Sequence, residues 1–327
     1  MRLLSLAAIL LLASACEGRG PSGLLRSADM PILDFPMYMS DRGAGVVYKI
    51  ERDGSYQTFV TGLNSPKGIT TDKFQNLYIV ESGETRLLKV NTLIEGPINV
   101  SVCTAGSNSE CEIVNDVFQA PSNVATDSAN EVYVTDDSTN SIIRANDNQT
   151  IATYSSTPSS LQFGVNDIMV VALADENKVI WANESVSTQI YGPIGVSIDG
   201  TGRVYAIPSA GGSNFSDCSS HFEGINSQGN KVQYTDIEGS QSYVNVTRYN
   251  QLEAGSDCGE LVVQGVPAVN GVAVDTVGNV FVTQQGNLVA DPPVTRGIIL
   301  SPFSGNPTEF LTNSSFDIPD GITFTKY

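Results

Sequence analysis

Three short segments set a polar side chain directly before a glycine: Pro66-Lys67-Gly68, Val269-Asn270-Gly271 and Pro319-Asp320-Gly321. Carboxylates also recur three positions beyond an aromatic, as Asp41 after Tyr38, Glu81 after Tyr78 and Asp136 after Tyr133. Brought to one place, hard oxygen ligands of this kind suit calcium or magnesium. The same side chains have a commoner use in turns, where they bond local backbone amides or pair with an arginine such as Arg86 or Arg144. The only histidine, His221, sits in CSSHFEG. Any histidine acid-base step would have to use it, but its Ser-rich surroundings read as a solvated loop. No nucleophile elbow, P-loop or dinucleotide fingerprint is present.

Whether those residues meet depends on the elements that carry them, and the chain repeats itself. Six copies of one register are PKGITTDKFQNLYIV from Pro66, PSNVATDSANEVYVT from Pro121, PSSLQFGVNDIMVVA from Pro158, PIGVSIDGTGRVYAI from Pro193, VNGVAVDTVGNVFVT from Val269 and PDGITFTKY from Pro319. Each opens with a turn signal, alternates through a short strand, turns through Asp, Gly or Asn, and begins a second strand. Two further β-like runs follow most copies, for example RLLKV then INVSV at 86–90 and 98–102. The last copy stops at Tyr327, and the strands it lacks stand at the other end, in MYMS from Met37, VVYKI from Val46 and YQTFVTG from Tyr56. Chain ends that complete one unit close a circular array without an unpaired edge. The expected fold is therefore all-β, a six-bladed β-propeller of four-stranded antiparallel blades whose N- and C-terminal strands share one blade.

In such a ring the start of each inner strand and the loop after each second strand share one face. That places Lys67, Ser122, Ser159, Ile194, Asn270 and Asp320 at the channel mouth, with Asp41, Glu81, Asp136, Ala172, Pro208 and Gln284 as a second set. The interval between the fourth and fifth copies is long, and the surplus is expected as an insertion loop at about 208–241, with the third strand resuming at SYVNVTRYN from Ser242. A loop of this length is usually functional or stapled.

The chain has 327 residues and a formal net charge of −18, which disfavours nucleic acid as a partner. Residues 1–15, MRLLSLAAILLLASA, read as a secretory signal. Ala13-Ser14-Ala15-Cys16 resembles a bacterial lipobox, which implies lipidation of Cys16; the same residues also suit ordinary signal cleavage and secretion. Residues 16–35 are then a tether and 36–327 the propeller, a monomer touching membrane only through its anchor, on the periplasmic or outer-membrane side of the envelope. Setting Cys16 aside leaves Cys103, Cys111, Cys218 and Cys258, an even number with three connectivities. Cys103 and Cys111 flank a turn-rich link and are paired on that ground, Cys218 and Cys258 by default.

The repeats resemble the NHL-type propellers, whose pattern runs P-x-G-I-A-V-D-x-x-G-N-x-Y-V-A-D, and the related gluconolactonase and strictosidine-synthase-like families. VNGVAVDTVGNVFVT is the nearest copy and PSSLQFGVNDIMVVA the loosest. The gluconolactonase likeness implies a divalent cation such as calcium, with Asp320 and Asn270 as ligands, although Ser122 and Ile194 stand where that family would supply Glu and Asn. The resemblance names no chemistry by itself. The expected function is a non-enzymatic binding or scaffold module without a required cofactor, contacting an envelope protein or saccharide at the mouth; the alternative is a metal-dependent lactonase.

Overall fold

The computed structural model describes residues 36–325 except 107–109, 182–185, 190–191, 201, 203, 209–223, 226–230, 233–242, 250–259, 268, 277, 286–295 and 302–307. These lie within one of the chain's two compact units, Ile32–Tyr327. Apart from three single-turn 3-10 segments, every regular element described is a strand. The fold is an all-β β-propeller.

The sheets follow one another along the chain. One runs Pro66–Thr71, Asn76–Glu81, Arg86–Asn91, Cys111–Asn115 and Thr104–Ala105. The next three are Pro121–Thr126 to Gln149–Thr153, Pro158–Phe163 to Val186–Gln189, and Pro193–Ile198 to Glu260–Pro267, each of four strands. Val269–Val274 to Thr308–Thr312 makes another four-stranded sheet. The closing sheet joins both chain ends in the order Pro319–Phe324, Met37–Asp41, Val46–Ile50, Tyr56–Thr61 and Ile98–Asn99. Its seam is antiparallel, with Met37 opposite Phe324 and Asp41 opposite Pro319. The inner strands contact one another in sequence, from Pro66–Thr71 through Pro121–Thr126, Pro158–Phe163, Pro193–Ile198 and Val269–Val274 to Pro319–Phe324, which returns to Pro66–Thr71.

Two corrections to the sequence reading follow. Four strands per blade does not hold throughout, because two sheets carry five. The run INVSV does not form the outer strand after RLLKV: Ile98–Asn99 instead joins the closing sheet, parallel to Val60 and Thr61. The strand that pairs with Arg86–Asn91 is Cys111–Asn115. The Cys103–Cys111 disulfide fastens this excursion, matching the pairing expected from the turn-rich link. In the insertion a short ribbon, Gly224–Ile225 with Lys231–Val232, is described, and the third strand resumes at Tyr243–Tyr249. Cys16, Cys218, His221 and Cys258, and with them the lipidation site and the second disulfide, fall outside the described residues.

The sheets carry apolar side chains on both faces and bury them against their neighbours. Tyr78 packs with Val80 and Leu87 of its own sheet against Val124, Val132 and Val134 of the next. Trp181 fills the corresponding layer with Val196, Val204 and Ala206, as an inter-blade core residue rather than a stacking platform. Between the sheet that begins at Val269 and the closing sheet, Phe281 stands edge-on to Phe324 with ring centroids 5.2 Å apart.

The Asp of the repeat shapes the turn at the far end of the inner strand. Asp72 accepts the amides of Phe74 at 2.9 Å and Asn76 at 2.8 Å, the Asn76 carboxamide at 2.8 Å and the Tyr78 hydroxyl at 3.3 Å. Asp127 does the same for Ala129, Glu131 and the Tyr133 hydroxyl. One carboxylate thereby ties turn and second-strand aromatic together. Burial, reinforced by the Asp72 charge, pushes the Tyr78 phenol well above its ordinary range.

Candidate binding site at the channel mouth

The opening tripeptide of each repeat is a β-bulge. Pro121 lies opposite Asp136 and Asn123 opposite Thr135, so Ser122 is an extra residue on the inner strand. Pro158/Ser160 and Pro193/Gly195 make the same shift around Ser159 and Ile194. The inner strands beginning at Pro66, Val269 and Pro319 also each carry one surplus residue against their partners. A bulge re-aims the surplus side chain, and in this protein it is re-aimed into the channel: Lys67, Ser122, Ser159, Ile194, Asn270 and Asp320 all line one cavity of about 340 Å³. Its volume is within the range of small-molecule pockets, about 300–1,000 Å³.

The glycine after the bulge is there because the next inner strand comes too close for a side chain. A Cβ on Gly271 would sit 2.3 Å from the Asp320 carbonyl oxygen, one on Gly68 2.6 Å from Asn123 Cα, and one on Gly321 2.6 Å from the Lys67 carbonyl oxygen. Hydroxyls complete the stitching. Ser40 Oγ accepts the Gly321 amide at 2.8 Å and donates to the Lys67 carbonyl at 2.7 Å, and Thr283 Oγ1 links Gly271 to Asp320 in the same way. One position further in, Ile69, Val124, Leu161, Val196, Val272 and Ile322 converge as buried aliphatic side chains. The cavity is thus a cup with a polar rim and an apolar floor.

Among the described residues that line the cavity, the charged ones are Arg42, Lys67, Asp137 and Asp320. Arg42 Nε stands 3.5 Å from Asp320 Oδ2, and Lys67 Nζ 4.0 Å from Asp137 Oδ2. Ser122 Oγ donates to Asp137 Oδ1 at 2.5 Å. Burial raises the Asp320 carboxyl to about 6; Arg42 and then Lys67 act against this, and Asp41 adds to it. Asp137 is likewise raised, mainly by burial, against the Ser122 hydrogen bond and the Lys67 charge. Asn270 Nδ2 donates to the Pro319 carbonyl at 2.8 Å.

The expected carboxylates of the second set are elsewhere. Asp41, Glu81 and Asp136 are fully buried and do not line the cavity. Asp41 accepts the amides of Asp317 and Ile318, both at 2.8 Å. Glu81 accepts the Asn64 amide at 2.7 Å and Arg86 Nε at 2.6 Å. Asp136 accepts the Gln119 amide at 2.7 Å, while Arg144 turns to Asp147 instead. All three hold the turn just before the proline that opens the inner strand of their own sheet, the capping role open to them from sequence. The pleat gives the reason: successive residues point to opposite faces, so the residue facing the channel is the one after, Arg42 or Asp137. The sequence reading misses both, and advancing the register by a single position beyond the aromatic would have found them. In the loosest copy the position opposite the proline is Leu173 rather than Ala172. Pro208 ends its strand opposite Pro193, and Gln284 is buried opposite Val269.

The donor set does not fit the divalent-metal centre that the gluconolactonase resemblance implies. Asp320 faces Arg42, Asn270 has its amide group on a backbone carbonyl, and Ser122 and Ile194 replace two oxygen-rich ligands. Among the described residues no three His, Cys, Asp or Glu side chains are grouped to hold a metal.

No protein-family model matches the sequence, and no curated protein matches it. Solved structures match in fold. A chain of a Nidogen/Laminin complex aligns with a TM-score of 0.61 at 9% identity, over 89% of this chain and 98% of that one. The PQQ-bound aldose sugar dehydrogenase of Streptomyces coelicolor aligns at 0.52 and 12% identity, over 82% and 87%. A gluconolactonase of Xanthomonas campestris aligns at 0.44 and 10%, over 78% and 76%. Likeness at these identities is likeness of fold.

Proposed function

We propose that this protein is a non-enzymatic binding propeller of the NHL type, exported to the cell envelope and anchored through Cys16, which takes a polar group of an envelope protein or saccharide into its mouth. The ring is read as six sectors, supported by the order of inner strands from Pro66–Thr71 back to Pro319–Phe324. The observation that carries the reading is the pairing of charges at the rim: each channel carboxylate has its own cation, Asp320 with Arg42 and Asp137 with Lys67. Such a rim offers alternating donors and acceptors over an apolar floor, which suits recognition of a polar surface group and leaves no cluster of free carboxylates for a metal. A propeller fold in a Nidogen/Laminin complex supports a partner-binding use of this architecture.

One observation favours the lactonase alternative, namely that a second carboxylate, Asp137, lines the channel together with Asp320, as a base separate from the metal ligand would have to. The two readings separate in one experiment. The purified chain is assayed for hydrolysis of glucono-lactone with and without calcium, alongside its melting temperature. The binding reading expects no calcium-dependent hydrolysis and no calcium-induced shift, because a ligand specific to the native state must stabilise it. It also expects a photo-crosslinker placed at Ile194 to capture an envelope component that Lys67→Glu no longer captures. Calcium-dependent turnover abolished by Asp320→Asn overturns it. For the anchor, Cys16→Ser should release the chain from the membrane fraction, and unchanged membrane association overturns lipidation there.

A further inference from the structure

The propeller has a base opposite its mouth, and the chain enters there. Thr71 Oγ1 donates to the Phe324 carbonyl at 2.5 Å, so the far ends of those two inner strands lie level. Phe324 pairs with Met37, and Thr325 donates its amide and hydroxyl to the Pro36 carbonyl at 3.1 and 2.9 Å. The covalent link to the N-terminal segment therefore leaves the propeller at the end away from Lys67 and Asp320.

The same end carries the two most exposed large apolar side chains among the described residues, Leu93 at 71% and Phe74 at 66%. They belong to adjacent turns. Phe74 lies in the turn that follows Thr71, and Thr92 donates both its amide and its hydroxyl to the Gln75 carbonyl, at 3.0 and 2.6 Å, which brings Leu93 alongside. Lys73 Nζ lies 5.4 Å from the centre of the Phe74 ring. Two apolar tips with a cation at their root have the arrangement of an interfacial membrane contact, apolar groups below the headgroups and a lysine among them.

We propose that residues 73–75 and 92–94 rest on a bilayer surface, so that the base faces the membrane and the mouth opens away from it. This rests on the reading of Cys16 as the anchor. Residues 16–35 number 20, and a link of that many residues reaches at most about 70 Å even fully extended. Such a link keeps the propeller at a high effective concentration near the bilayer. A weak apolar contact then suffices, because the anchor supplies the attachment and the contact has only to orient the domain. The net charge of −18 favours a zwitterionic over an anionic lipid surface.

The test uses the full chain, purified from an exporting bacterial host and reconstituted with phosphatidylcholine vesicles, with hydrogen exchange followed by peptide. Amides of 73–75 and 92–94 should slow by at least about threefold on vesicles, while peptides at the mouth, around Ser122 and Ile194, should not change. Phe74→Ser with Leu93→Ser, both exposed and so expected to leave the melting temperature unchanged, should still float with the vesicles but lose that slowing. Flotation without slowing at the base, or with slowing at the mouth, overturns the orientation and leaves the anchor standing. Failure to float overturns both. Slowing that needs added envelope protein and not lipid assigns the base to a protein partner and overturns the lipid contact.

Discussion

Asp41 and Ile318, 277 positions apart in the chain, meet across the closing seam at 2.8 Å, the carboxylate accepting the amide. Arg42 answers with its own amide on the Ile318 carbonyl at 2.8 Å, and the second Asp41 oxygen takes the Asp317 amide. The seam is therefore more than a pair of strands in register: a buried charge from the first strand holds the turn that launches the last.

Replacing Asp41 by alanine leaves those amides without their acceptor in a buried place. Charge-assisted hydrogen bonds of this kind contribute about 1.5–3 kcal/mol, and unsatisfied buried donors cost a similar amount. Asp41→Ala should lower unfolding stability by about 3 kcal/mol in urea titration, with Asp41→Asn losing less because its amide oxygen still accepts. An unchanged midpoint for the alanine variant would show that the clasp contributes nothing.

The ring closure and the alternating strands are legible in the sequence because they rest on period, and period survives copying. Lys67, Ser122, Ser159, Ile194, Asn270 and Asp320 can be placed at the mouth for the same reason. Asp41, Glu81 and Asp136 are misplaced because the bulge and the pleat act at the level of one residue, and a register counted from the aromatic does not reveal which face a side chain takes. Arg42 and Asp137 stay hidden behind more conspicuous neighbours. Ile98–Asn99 goes to the other sheet because a disulfide-closed excursion separates it from the strand that replaces it, a tertiary constraint with no periodic signature.

The rim glycines offer a contrast that tests the close approach of the inner strands. A Cβ at position 321 meets the Lys67 carbonyl oxygen at 2.6 Å, whereas at position 195 the nearest atom is the tip of Ile207 at 3.2 Å. Backbone cannot move aside as a side-chain methyl can. Gly321→Ala should destabilise by about 2 kcal/mol or more, within the cost of overpacking, and Gly195→Ala by clearly less. Equal melting temperatures for the two variants would remove strand proximity as the cause of the glycine in the repeat.

The Cys103–Cys111 bridge closes a loop of eight sequence steps. On the chain-entropy account a loop of that size contributes about 2–3 kcal/mol by restricting the unfolded chain. Cys103→Ser with Cys111→Ser should lower the denaturation midpoint accordingly, and dithiothreitol should lower the native protein by clearly more than it lowers the double variant, in which only Cys218 and Cys258 can still be paired. An effect of reductant on the double variant of the same size would place the sensitivity elsewhere in the chain.

Asp320 makes the protein's stability depend on pH in a definite direction. Its carboxyl is raised from an ordinary 3.8 to about 6, so the folded state holds the proton more tightly than the unfolded one. The resulting stabilisation is complete below about pH 4 and is lost as pH rises through about 6, which is the sign linkage requires for a raised group. A shift of roughly two units corresponds to about 3 kcal/mol, and slightly less for a side chain that keeps 19% of its exposure. Asp320→Asn removes the titration, so the stability of the variant relative to the native protein should rise by about 2 kcal/mol between about pH 4.5 and 7.5. Carboxyls lowered by their partners, such as Asp167 beneath Ser128, pull the absolute curve the other way, but they are common to both proteins and cancel in the difference. A difference that stays flat across that interval would mean that Asp320 is ionised at no cost, and that the rim holds its charge in water rather than in a buried cup.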